Sequence, residues 1–301
     1  MPFAARRLAV IAGFAGLVFS AAPVAAQGRQ GGQSAAAQPV RGDSLWFQFI
    51  GPTDGGRIAS IAGVPGDNNT WYFGNASGGI FKTTNGGVTN TPIFDSTGVA
   101  AIGALAVSQS NHDIVWAGTG EAWVIRDADI AGDGVYKSTD AGKTWKNMGL
   151  KDVGRIGRII VHPTNPDIVY VCAIGRVTAP QQERGVFRTA DGGNSWRRVL
   201  FVDENTGCSG ISMDKQDPRV LYAATWQVWM ATWVMKSGGP GSGVWKTTDA
   251  GETWTRLTNG LPSQGVGKVD VAVAPSNGKR VYALMQTADQ GSVWQIGRAH
   301  V

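Results

Sequence analysis

Glu121, Asp127 and Asp129 lie close together in the stretch Gly118-Thr119-Gly120-Glu121-Ala122-Trp123-Val124-Ile125-Arg126-Asp127-Ala128-Asp129. Two carboxylates facing each other across a glycosidic bond can divide the work of an acid and a base or nucleophile. Glu121 is the candidate acid, with Asp127 or Asp129 as the second carboxylate. Four arginines, Arg57, Arg126, Arg155 and Arg158, could hold an anionic or hydroxylated ligand through their forked donors. Trp123 and Trp229, the latter in the run Trp226–Trp233, offer flat faces for a sugar ring. Each group also has a purely structural use. Glu121 can cap its own loop, the arginines can form ion pairs between neighbouring sheets, and the tryptophans can pack.

Other chemistries find less support. His112, His162 and His300 have no ligand spacing, and Asp127, Asp129 and Asp133 lack the pattern of a calcium loop. No Ser-His-Asp order or phosphate-cradling glycine loop emerges, so no metal or other cofactor is expected. The formal net charge is +5, but Arg6 and Arg7 contribute to it and no basic block accounts for the rest, which argues against nucleic acid.

The elements that must position these residues are legible in a repeat. Four times a short strand runs into a polar turn: Thr83-Thr84-Asn85-Gly86-Gly87, Ser138-Thr139-Asp140-Ala141-Gly142, Thr189-Ala190-Asp191-Gly192-Gly193 and Thr247-Thr248-Asp249-Ala250-Gly251. The last three lead on to Trp145, Trp196 and Trp254, while the first has Asn90 at that place. Before each turn comes a strand with Gly at its head: Gly79-Ile80-Phe81-Lys82, Gly134-Val135-Tyr136-Lys137, Gly185-Val186-Phe187-Arg188 and Gly243-Val244-Trp245-Lys246. Earlier still is a strand anchored by Tyr72, Trp116, Tyr170 or Tyr222, and Tyr282 begins a fifth such series. Short antiparallel strands repeating about every fifty residues describe the blades of a β-propeller, an all-β fold in which successive sheets must stack to bury both faces. Forty-three glycines and twelve tryptophans suit that reading. Within each turn the Asp or Asn accepts local backbone N–H groups, glycine takes the positive φ, and tryptophan packs between sheets. The first unit, lacking the aromatic, is expected to be the least tightly locked.

With strands A, B, C and D counted from the inside out, A–B and C–D turns share one face, and B–C and D–A loops share the other. The Asp turns are C–D turns and belong opposite the B–C loops that carry Glu121, Arg126 and Trp229. Arg57 and Arg155 stand at equivalent strand-A entrances, judged from Pro65 and Pro163, with Arg158 further along the same strand.

These turns resemble the Asp-box, or bacterial neuraminidase repeat, of sialidases, xyloglucan-cleaving hydrolases and the sortilin propeller. Gly132–Asp140 and Phe201–Gly207 are more particularly similar to exported bacterial sortilin-like and glycosyl-hydrolase-like repeat proteins. The resemblance extends over residues 46–295. It implies structural roles for Asn85, Asp140, Trp145, Asp191, Trp196, Asp249 and Trp254, and it implies ligand binding without naming the ligand. A sialidase's three-arginine cluster does not map, because Arg155 and Arg158 share one blade.

Residues 1–26 read as a secretory signal peptide, with Arg6 and Arg7 before an apolar run and small residues ahead of Gln27, and residues 27–45 as a disordered leader. No membrane span is expected after cleavage, and the compartment is periplasmic or extracellular. Cys172 and Cys208 could pair there or remain separate thiols. After the fifth C strand a further Asp turn is expected, but residues 296–301 read instead like sequencing-adapter read-through. The chain is therefore expected to be an N-terminal fragment with four full blades and part of a fifth, whose partners include its own missing C-terminal blades. The expected function is binding of a peptide or glycan through the B–C and D–A loop face. The alternatives are a glycoside hydrolase and an envelope assembly scaffold.

Overall fold

Short apolar runs punctuated by Gly, Pro and Asp fold as strands, since β-branched and aromatic side chains pack well on a pleated surface. The computed structural model describes residues 57–124, 130–288 and 292–296, all within one unit, Gln48–Val301. The first sheet comprises β1 (Ile58–Val64), β2 (Asp67–Asn75), β3 (Ile80–Thr83) and β4 (Thr91–Pro92). The second holds β5 (Ile102–Val107), β6 (Val115–Thr119), β7 (Val135–Ser138) and β8 (Lys146–Asn147). The third holds β9 (Ile156–Val161), β10 (Val169–Ala173), β11 (Gly185–Thr189) and β12 (Arg197–Leu200). The fourth is built from β13 (Thr206–Met213), β14 (Leu221–Ala231), β15 (Val234–Ser237), β16 (Gly243–Thr247) and β17 (Thr255–Leu257), with β15 paired only to β14. β18 (Val269–Ala274), β19 (Asn277–Met285) and β20 (Ser292–Ile296) make the fifth. Sequential antiparallel pairing within every sheet gives the propeller-blade meander anticipated from the repeat.

The innermost strands β1, β5, β9, β13 and β18 contact one another in chain order. The core lies between sheets. Tyr72 and Ile80 pack with Ile102 and Val115; Trp116 and Val135 with Ile156 and Val169; Tyr170 and Val186 with Cys208 and Leu221; Tyr222 and Val244 with Val269 and Val281. Such sheets are stable only as a stack. One covalent link crosses the third layer, a disulfide between Cys172 on β10 and Cys208 on β13.

The run Trp226–Trp233 departs from the loop expected of it. β14 continues through it to Ala231 and folds back as β15, with Val228 opposite Ser237 and Met230 opposite Met235. Alternation explains the extension. Trp226, Val228 and Met230 are buried with Ala122, Val124, Ile174 and Val177, while Gln227 and Trp229 occupy the other face.

The four Asp or Asn turns form one hydrogen-bond pattern. Asp140 accepts from the Ser138 hydroxyl (2.8 Å), the Thr144 amide (2.8 Å) and the Thr144 hydroxyl (2.6 Å). Asp191 and Asp249 repeat this with Thr189 and Ser195, and with Thr247 and Thr253. Asn85 accepts from the Thr83 hydroxyl and the Thr89 amide, and its own amide donates to the Thr89 hydroxyl at 2.9 Å. The amide thus preserves the whole network by reversing one bond. Each turn also donates an amide to a carbonyl in the A–B turn or at the start of strand B: Gly86 to Asn69, Ala141 to Asp113, Gly192 to Asp167 and Ala250 to Arg219. That pairing puts the turns opposite the B–C loops, as the strand count requires.

The turns also lock neighbouring sheets. A Cβ on Gly193 would lie 2.7 Å from the Trp116 ring, and one on Gly142 would lie 3.3 Å from the Tyr72 ring. Both glycines have positive φ, so space and conformation both demand glycine there. The indole N–H groups of Trp145 and Trp196 donate to the Ile93 and Met148 carbonyls of the preceding sheet at 2.9 and 2.8 Å.

Hydrogen bonds to the Thr144 side chain and amide and to Ser138 hold Asp140 down at about 2; bonds led by Thr247 and Thr253 hold Asp249 at about 2, and Asp191 is lowered likewise by Ser195. A depressed folded-state pKa contributes stability that is complete above the unfolded value and lost as pH falls through the folded one. Urea midpoints should therefore be level above about pH 4 and decline towards about pH 2. Because Asn85 already shows that an amide fits, the triple Asp140→Asn, Asp191→Asn, Asp249→Asn variant should fold and show a flatter acid decline. An unchanged decline would contradict the assignment.

Candidate functional site

Four inner strands carry the same irregularity near their entrances. Ala59, Gly103, Gly157 and Ser209 are each skipped in the register between strands A and B. A bulge of this kind bends the strand and re-aims its neighbours. All four residues line a cavity of about 320 Å³ at the inner-strand wall, together with Trp123, Arg158, Lys268 and Asp270. Every one of the five sheets contributes to it.

Two ion pairs span sheets at this mouth. Arg158 on β9 reaches Asp270 on β18 at 3.0 Å, passing the intervening β13. Gly210 makes room, because a Cβ there would lie 2.0 Å from an Asp270 carboxylate oxygen. Arg57 meets Glu121 at 2.7 Å. Glu121 is 1% exposed, and its other oxygen accepts from the Trp123 amide at 3.1 Å. The carboxylate therefore caps its own loop and ties it to the first sheet. Lys268 is half-buried, with its ammonium 5.0 Å from the centre of the Trp226 ring. Burial lowers its pKa, and the charges of Asp270 and Glu121 oppose that shift.

The B–C and D–A loops behind the mouth are cross-braced. The Arg155 carbonyl accepts from the Ile174 and Gly175 amides. Arg184, buried, donates to the Asn205 and Ala179 carbonyls at 2.8 and 3.1 Å and also to that of Arg176. Its pKa falls to about 10, mainly through burial and partly through Arg155, against the pull of Asp203.

Of the residues singled out from sequence, Arg57 and Glu121 are in contact, and Trp123, half exposed, and Arg158 line the cavity. Arg155 is buried. Trp229 stands on the β14–β15 hairpin, donating to the Thr178 carbonyl at 3.2 Å with the Lys236 ammonium over its ring. Arg126, Asp127 and Asp129 lie outside the described residues. His162, on the opposite face, accepts from the amides of Thr164 and Asn165 and serves its turn. Sequence reasoning missed Lys268, Asp270 and Ser209. The signal was present, since Asp270 precedes Tyr282 by the interval that separates Arg158 from Tyr170. Among the described residues there is no group of three His, Cys, Asp or Glu side chains able to hold a metal, and no helix long and apolar enough to cross a membrane.

Comparison with known proteins gives this geometry a family. The xyloglucanase of Hypocrea jecorina is 26% identical over 65% of the chain and 25% of the enzyme. Xyloglucanase Xgh74A of Acetivibrio thermocellus is 24% identical over 70% of the chain and 27% of the enzyme. The chain thus spans about a quarter of the length of these curated relatives. Among solved structures, an ancestral GH74 enzyme superposes with a TM-score of 0.59 at 19% identity, covering 81% of this chain and 31% of that one. The GH74 xyloglucanase from Xanthomonas campestris gives 0.58 at 17% identity, covering 81% and 37%. Both support the propeller fold of stacked antiparallel sheets. The Sortilin-Vps10 model, described as sortilin, neurotensin receptor 3, matches residues 133–292, more than half of the chain. On that match, and on the stacked four-stranded sheets, this chain belongs to the Sortilin-Vps10 family.

Proposed function

We propose that the chain is part of an exported propeller that binds a glycan on its B–C and D–A loop face, at the mouth lined by the inner strands. One observation carries the reading. A cavity to which all five sheets contribute combines an exposed tryptophan face, Trp123, with Arg158, Lys268 and Asp270. An indole face takes the apolar side of a sugar ring, while the charged groups bind its hydroxyls. The curated relatives are named xyloglucanases, which favours a glucan-based polysaccharide over a peptide. The Cys172–Cys208 bond supports export, because such bonds persist in oxidising compartments.

A hydrolase is the second reading, favoured by the same relatives, with Glu121 paired to Asp127 or Asp129. Binding is the better-supported activity because both Glu121 oxygens are already engaged, one by Arg57 and one by the Trp123 amide. An array of xyloglucan oligosaccharides, other glycans and peptides tests both. The expected result is glycan binding without new reducing ends. Peptide binding alone would overturn the glycan assignment, and sugar release abolished by Glu121→Gln would favour the hydrolase.

A further inference from the structure

Among the described residues, the charges at the mouth do not pair off evenly. Glu121 is taken up by Arg57 and the Trp123 amide. Asp270 is taken up in the same way, one oxygen accepting from Arg158 at 3.0 Å and the other from the Val271 amide at 2.9 Å. Lys268 is left over. Asp270 and Glu121 act on its ammonium only through space, and no carboxylate or carbonyl among the described residues bonds to it. Lys82 and Lys137 show what a satisfied lysine looks like in this fold. Each lies 5.1 Å from a ring centre and also donates to a carbonyl, at 2.9 and 3.1 Å. Lys268 has the ring alone, that of Trp226 at 5.0 Å.

The lysine is nonetheless held in place. The Trp226 indole donates to the Ser237 hydroxyl at 2.9 Å, and that hydroxyl donates to the Gln286 side-chain oxygen at 2.7 Å. The Lys268 amide donates to the same oxygen at 3.1 Å, and the Gln286 amide donates to the Lys268 carbonyl at 2.9 Å. Ring and lysine backbone are thus fixed to each other, which leaves little freedom to lose on binding. Lys268, just ahead of β18 on the fifth sheet, turns back towards the fourth. A half-buried ammonium keeps three donors but has lost part of its hydration, and a π-face replaces only part of that loss. What it lacks is an anion. Because Lys268 and Trp123 line the same cavity of about 320 Å³, the anion and a stacked sugar can belong to one molecule.

We propose that Lys268 sets the specificity of the mouth and selects glycans that carry a carboxylate, a hexuronate ring over its neutral hexose counterpart. The proposal rests on the glycan reading above and narrows it. The ring lies on Trp123, and its carboxylate accepts a charge-assisted hydrogen bond from the Lys268 ammonium. Arg158 is the poorer anchor for that charge, because Asp270 already neutralises it.

Cellotetraose and its C6-oxidised form, in which every ring is a glucuronate, differ only in the group at C6. Both are titrated calorimetrically into the full chain, beside a neutral xyloglucan oligosaccharide. The oxidised form is expected to bind about tenfold more tightly than cellotetraose, by a margin that shrinks as sodium chloride is added. Lys268→Met should bring the ratio of the two affinities to about one, and Lys268→Arg should keep it. Equal affinity of the wild-type chain for the two tetrasaccharides would overturn the proposal and leave the glycan reading standing. So would a preference that survives in Lys268→Met. Binding of a peptide through its terminal carboxylate, with none of the three sugars bound, would overturn both.

Discussion

Reducing the Cys172–Cys208 bond should cost the chain about 4 kcal/mol of stability, the loop-entropy value for a bridge closing some 36 residues. The bridge joins β10 of the third sheet to β13 of the fourth, inside an apolar layer with Tyr170, Val186, Ile211 and Leu221. Its effect is larger than a local staple's because each sheet relies on its neighbour for a core. Urea unfolding with and without dithiothreitol measures the difference. The double variant Cys172→Ser, Cys208→Ser should unfold at or below the midpoint of the reduced protein, since buried hydroxyls replace thiols. Coincident transitions for oxidised and reduced protein would contradict the clamp.

The second large effect is at Gly103, the bulged residue of β5. A Cβ there would lie 2.3 Å from the Ile156 carbonyl oxygen and 2.4 Å from that of Gly120. Both obstacles are backbone and belong to different segments, so neither can swing aside as a side-chain tip would. Gly103→Ala is expected to destabilise by about 3 kcal/mol, at the upper end of overpacking. Gly98→Ala is the control. That glycine has φ of 76° but nothing near its Cβ position, so only backbone strain of about 1 kcal/mol applies. Equal urea midpoints for the two variants would refute the claim that the inner bulge is sterically closed.

Much of the fold was legible because the repeat is printed in chemically specific residues. Asp140, Asp191 and Asp249 marked C–D turns, and alternating strand polarity then determined which loops share a face. What remained hidden depended on contacts between repeats. Cys172 and Cys208 are each ordinary buried strand residues, and only the stacking of β10 against β13 makes them partners. Trp226–Trp233 stands where the strand count calls for a B–C loop, yet its alternation of buried and partly exposed side chains carries β14 through it into a hairpin. Glu121 and Arg57 were both singled out, but their direct pairing joins residues 64 positions apart. Asp270 escaped notice because its partner Arg158 sits two sheets away and Gly210 clears the route.

The family match and the sheet stacking define a scaffold, and the loop-face mouth is its proposed working surface. Calorimetric titration of a xyloglucan oligosaccharide into wild type, Trp123→Ala and Lys143→Ala tests that division most directly. Trp123 borders the mouth, whereas Lys143 lies on the Asp140 turn of the opposite face. The account predicts that Trp123→Ala weakens binding about tenfold, the worth of one stacked aromatic, while Lys143→Ala leaves it unchanged. Loss of binding in Lys143→Ala with Trp123→Ala unaffected would contradict it, as would a wild-type protein that takes up no glycan.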